Sequence, residues 1–181
     1  MTSLIESIRD ECLRYKALAE GALDQISDAE LSAQGPNGGN SIAVICRHIS
    51  GNLRSRFTDF LTSDGEKPWR AREEEFQAHI VTRAALLSGW EQGWEALLGT
   101  LANLTDEQLH LDVTIRGQSM PVHAALHRAL AHLSYHVGQI VYVAKASRGA
   151  NWTYLSIPPG MSDAYNQAPT LERPPKVESR K

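Results

Sequence analysis

Apolar side chains recur every three or four positions through four separate stretches of the chain, with polar, turn-rich segments between them. In residues 2–24, Leu4, Ile5, Ile8, Cys12, Tyr15, Leu18 and Leu23 keep this spacing. At about 100° per residue such positions fall on one face of a helix. A second stripe, Ile42, Ile45, Ile49, Leu53, Phe57 and Phe60, predicts a helix over 41–62. A third, Leu86, Leu87, Trp90, Trp94, Leu97, Leu98 and Leu101, predicts one from about 80 to 102. The fourth and longest runs from Pro121 to about Arg148 on Leu126, Ala129, Leu130, Leu133, Val137, Ile140 and Ala144.

The breaks carry their own signals. Ser27-Asp28-Ala29-Glu30 has the pattern of a capping-type start to a short turn. AQGPNGGN, residues 33–40, is a loop, and Ser41 after it is an N-cap. In SDGEKPWRAREEEF, residues 63–76, Asp64-Gly65 and Lys67-Pro68 are turn pairs. Val113-Thr114-Ile115 alternates as a strand does, and Arg116-Gly117 can turn a short hairpin. Pro121 suits the first turn of the last helix, and Gly149 its C-terminal end. The segment NWTYLSIPPGMSDAYNQ is expected to pack on the body, with a loose, charged, Pro-rich end beyond it. The expected architecture is all-α: one four-helix bundle domain over 1–165, a short hairpin before its last helix, and a loose tail over 166–181.

Composition narrows the function classes. The chain has 181 residues, 42% hydrophobic and 22% charged, which is ordinary for a globular domain with a real core. A net charge of -3 implies no basic face for nucleic acid. No apolar run approaches the roughly 20 residues of a membrane span, and MTSLIESIRDECLRYK lacks a signal-peptide core. A cytoplasmic location is expected. Cys12 and Cys46 form no CxxC motif and read as buried thiols.

The candidate chemistry lies in the seven histidines. Two pairs at i,i+4 fall on the last helix, His123/His127 and His132/His136. That spacing puts both rings of a pair on one face, as metal sites use it. Each pair flanks the apolar stripe, on opposite sides, so periodicity does not choose between them. The two pairs differ in their C-terminal neighbours: Gly138 and Gln139 come just after the second. A mid-helix glycine costs about 1 kcal/mol relative to alanine, so a close approach by a backbone or ligand is expected there. His48 sits at the edge of the second stripe, with Asn52 and Arg56 further along the same flank. A polar strip beside an apolar one suits a pocket wall.

Together, NSIAVICRHISGNLRSRFTDF (40–60), DGEKPWR (64–70), HLSYHVGQIVYVAK (132–145) and LSIPPG (155–160) make the chain resemble the DinB-like superfamily, in an uncharacterised branch of it. The resemblance implies a four-helix bundle, usually a homodimer, with a divalent metal on three histidines. These map onto His48, His132 and His136. It also implies a metal-dependent thiol S-transferase or a hydrolase-like enzyme acting on a small molecule, with a low-molecular-weight thiol as partner in the first case. Zinc is the first expectation and nickel the second, because imidazole suits both. Asn52, Arg56 and Gln139 are candidates for ligand contact or for orienting the histidines. Leu133 stands where an HExxH protease carries its glutamate, which argues against that class. Glu73, Glu74 and Glu75 read first as a solvated charge run and otherwise, with Asp59 and Asp64, as candidate sources of a general base. Trp90 and Trp94 read as core, and Tyr135 has no assigned role. The alternative function is a non-catalytic dimeric bundle serving as a binding or stress-response protein.

Overall fold

The computed structural model describes residues 3–78 and 80–170. Helix α1, Leu4–Leu23, starts in a reciprocal cap: the Glu6 N–H donates to the Ser3 hydroxyl at 3.1 Å, and the Ser3 N–H donates to the Glu6 carboxylate at 3.0 Å. Ser27 and Glu30 repeat the device at α2, Asp28–Ser32. Helix α3, Ile42–Phe57, is capped by Ser41, whose hydroxyl accepts from the Val44 N–H at 3.2 Å. It stops short of the expected 62. Thr58 leaves helical geometry, and Asp59 takes a left-handed φ of 49° that ends the run.

A short α4, Arg72–Glu75, interrupts the connection to α5, Arg83–Asn103, which Thr82 caps. Strands β1, Asp112–Ile115, and β2, Gln118–Pro121, form an antiparallel hairpin in which Ile115 pairs with Gln118. The turn residues Arg116 and Gly117 both have positive φ, 55° and 71°, as a tight two-residue hairpin requires. The Asp64 carboxylate accepts the N–H groups of both, each at 2.8 Å, and so ties the hairpin to the α3–α4 connection. Pro121 is the last residue of β2 and the N-cap of α6, Val122–Arg148, not part of its first turn. Gly149 ends α6 with a φ of 54°. Helix α7, Ser162–Gln167, comes next. Residues 171–181 of the expected loose tail lie outside the described residues.

Helices α1, α3, α5 and α6 form an all-α bundle in which α3 packs on α5 and α6, and α1 on α6. Trp90 and Trp94 are buried in its centre with ring centroids 5.4 Å apart. Leu133, Val137 and Ile140 form the buried seam of α6, each contributing about 1.5–3 kcal/mol through burial. Cys12 and Cys46 are buried, and that burial pushes both thiols up to about 12, with the neighbouring Glu11 adding to it at Cys12. Trp152 and Leu155 pack against the core, and Gln25 fixes the segment by two hydrogen bonds to the Thr153 backbone at 2.8 and 3.0 Å. No helix among the described residues is long and apolar enough to cross a membrane.

Candidate metal centre

Residues far apart in sequence meet where α3 faces α6. His48 lies on α3, at the edge of the stripe that buries Ile45 and Ile49, and is itself 5% exposed. His132 and His136, one turn apart on α6, flank the buried Leu133 and Val137 and so lean toward α3. The ring centroids of His132 and His136 are 4.5 Å apart, and that of His48 lies 5.2 and 4.7 Å from them. One potential ligand atom from each residue falls within 4.8 Å of the others. The Nε2 atoms of His48 and His132 stand 3.1 Å apart. Two imidazole nitrogens on one ion at 2.0–2.1 Å would be separated by about 2.8–3.4 Å for ligand angles between square and tetrahedral, so the spacing of this pair fits a shared cation.

The ring nitrogens on the far side are engaged by the protein. His48 donates its Nδ1–H to Glu75 Oε2 at 2.9 Å. Arg70 clamps the same carboxylate with Nε and Nη2, at 2.8 and 2.9 Å. His136 donates its Nδ1–H to the Gln139 carbonyl oxygen at 2.7 Å. These bonds fix ring orientation and leave Nε2 of His48 and of His136 with its lone pair, as metal ligation requires. Burial alone would raise the Glu75 carboxyl, but the hydrogen bonds and charges of His48 and Arg70 outweigh it and hold it below the usual carboxylate range. Burial, then the charges of His136, His48, Arg70 and Arg56, depress His132 to about 3. His136 is lowered too, by burial and by His48, against the bond to Gln139. His132 and His136 are therefore neutral at pH 7, the form that binds metals.

Glu75 reaches His48 because residue 51 is glycine. A Cβ on Gly51, one turn beyond His48 on α3, would stand 2.1 Å from Glu75 Oε1. Any larger residue there would push the carboxylate off the helix.

A cleft of about 180 Å³ opens beside His48 and His132. Asn52, Arg56 and Phe57 of α3, Arg128 and Ala129 of α6, and Ile115 of the hairpin are among its walls. Arg56 donates to the Gly65 carbonyl and to Glu66 at 3.2 Å, so part of its charge is already paired.

A model of a family described as protein of unknown function (DUF1572) matches residues 1–161. The chain belongs to that family. No curated protein matches the chain, and no solved structure does. The functional reading of this DUF1572 chain therefore rests on its own residues and on the resemblance that its motifs carry.

The structure brings His48, His132, His136 and Gln139 of the sequence candidates together and places Asn52 and Arg56 on the cleft wall. It does not gather the other i,i+4 pair into a metal-capable group. The rings of His123 and His127 are 6.5 Å apart, and His123 donates Nδ1–H to the Leu109 carbonyl at 3.0 Å. His48, His132 and His136 form the one such group among the described residues; His79 lies outside them.

Two expectations need correction. Gly138 does not mark a close approach: it is exposed on the outer face of α6 with Tyr135 and Tyr142, and a Cβ there would meet nothing within 4 Å. Glu75 is not part of a solvated run. Its side chain is 10% exposed against 86% for Glu73, because the short turn of α4 aims one of the three acids inward. Sequence reasoning missed Arg70 and Gly51 altogether. The available signal was Gly51, a glycine inside an apolar helix one turn from His48. The close approach expected at Gly138 occurs at Gly51 instead.

Proposed function

We propose that this protein is a metal-dependent enzyme of the DinB-like superfamily, of thiol S-transferase or hydrolase type. It holds one divalent ion, zinc or nickel, on His48, His132 and His136. The observation that carries the reading is the pair of oriented rings, His48 on Glu75 and His136 on Gln139, converging with His132 at the cleft. Structural zinc sites close four protein ligands around the ion, whereas three histidines with space beside them match catalytic sites. A metal held there supplies Lewis acidity and lowers the pKa of a water molecule or thiol brought to it.

The chain's own residues define the rest. Glu75 and Arg70 hold His48 in place, and Gln139 holds His136. Asn52 and Arg56 are positioned to contact a small molecule entering the cleft. No carboxylate lines the cleft among the described residues, and Glu75 is committed to His48 and Arg70. The chemistry supported is therefore attack by an acidified nucleophile, without a separate carboxylate base. A low-molecular-weight thiol as co-substrate and a homodimeric assembly belong to the same proposal.

The test is elemental analysis of untagged protein, wild type beside His136→Ala, and then assays pairing thiols with small electrophiles. About one metal per chain, lost in the variant, is the expected result. An ion present at 100 times its dissociation constant should also stabilise the fold by about 2.7 kcal/mol, read as a drop in Tm on chelation. No metal in either protein after supply of zinc and nickel would refute the proposal.

A further inference from the structure

The cleft beside the histidines is walled by positive charge. Arg56, Arg70, Arg72, Arg116 and Arg128 all line it, with no carboxylate lining it among the described residues, in a chain whose net charge is -3. Nearby carboxylates offset only part of this. Glu66 is shared between Arg56 at 3.2 Å and Arg116 at 2.9 Å. Glu75 serves Arg70 and His48 together, and Glu73 pairs with Arg72 at 2.8 Å.

Three polar groups at this wall have unmet capacity among the described residues. Arg128 makes no hydrogen bond or ion pair. The Asn52 side chain makes no hydrogen bond. Arg70, whose side chain is 2% exposed, keeps Nη1 buried with no acceptor. Guanidinium groups present fixed, planar forks of donors that match carboxylate and phosphate oxygens. Concentrating them in a recess whose walls also carry Phe57, Ile115 and Ala129 strengthens their pull on an anion, because low-dielectric walls focus the field of like charges that line a cleft.

We propose that this cleft is an anion subsite: the molecule acted on carries a carboxylate or phosphate, which Arg128 and Arg56 hold, with Asn52 as a further contact, while its reacting end lies against His132. The catalytic meaning of the subsite rests on the metal reading above, but the binding of the anion does not. The cleft's small volume admits one compact anion or the charged end of a longer molecule. It does not admit a nucleic-acid strand, and the acidic chain around it would repel one.

Calorimetric titration with inorganic phosphate and with malonate, at constant ionic strength in chloride, tests the assignment. Wild-type, Arg128→Gln, Arg128→Glu and His136→Ala proteins are compared, each chelator-treated and each metal-supplied. The expected result is saturable binding of at least one anion to the wild type in both states. It should weaken about tenfold in Arg128→Gln, as loss of a charged hydrogen bond predicts, and disappear in Arg128→Glu. Tighter malonate assigns a carboxylate substrate, and tighter phosphate a phosphorylated one. Retained binding in metal-depleted His136→Ala would show that the subsite stands even where the metal reading fails. Absence of saturable binding in the wild type overturns the proposal. So does binding that requires metal and ignores Arg128, since the anion would then be held by the ion alone.

Discussion

Glu75 accepts the Nδ1–H of His48 at 2.9 Å, across 27 residues of sequence. The same carboxylate takes two donors from Arg70, so one buried acid aims a histidine and neutralises a guanidinium. Groups that orient ligating histidines in this way matter nearly as much as the ligands themselves. Glu75→Ala should lower metal affinity by about 10- to 100-fold, measured by competition with a chromophoric chelator. It should also destabilise the fold by about 3–5 kcal/mol, because Arg70 stays buried without its partner. Glu75→Gln should lie between wild type and alanine in both measurements. An affinity indifferent to all three residues at position 75 would remove Glu75 from the site.

Gly51 and Gly138 give opposed expectations from the same substitution. Alanine normally stabilises an exposed helix interior relative to glycine by about 0.8–1 kcal/mol. Gly138→Ala, facing open space, should show that gain in denaturant unfolding with no change in metal affinity. Gly51→Ala should instead weaken metal binding, because its Cβ would occupy the place of Glu75 Oε1. Combined with Glu75→Ala, it should add little, since both changes remove one contact. Full additivity in that double variant would contradict the mechanism.

Substitution at the second histidine pair should be silent for metal. His123 is engaged with the Leu109 carbonyl, and its ring stands apart from His127. Metal content of His123→Ala and His127→Ala should match wild type, while His48→Ala and His132→Ala lose the ion. The reverse pattern would transfer the site to the other face of α6.

The histidine cluster also predicts an acid limit for the metal-free protein. His132 is depressed to about 3 in the folded chain, against about 6.5 unfolded. Between those values the unfolded chain carries a proton that the native chain does not. Stability should therefore fall as pH drops from about 6.5 toward about 3, and should not depend on this group above about 7. Thermal unfolding of chelated protein from pH 7.5 to 4 reads the slope, which His132→Gln should flatten. Equal slopes in the two proteins would mean that His132 is not the group responsible.

Four amphipathic helices, the caps at Ser27 of the short α2 and at Ser41 of α3, the hairpin turn at Arg116-Gly117 and the stop at Gly149 were all legible in the sequence. Each depends on a local rule of period, cap or backbone freedom. The end of α3 was not, because the stripe continues to Phe60 while Asp59 turns the backbone out of the helix. The residues of the candidate site were recognised partly from period and partly from resemblance, but period did not choose between two histidine pairs. Of the two local cues after His136, Gln139 bonds to its ring while Gly138 faces open space. Both pairs flank the same apolar stripe at nearly equal angles, and only the packing of α3 against α6 sets His48 beside one of them. Glu75, Arg70 and Gly51 become a unit for the same reason. A carboxylate in a run of three acids has no preferred partner along the chain. Its role is decided when α4 folds back over the one position on α3 where the absence of a side chain lets it in.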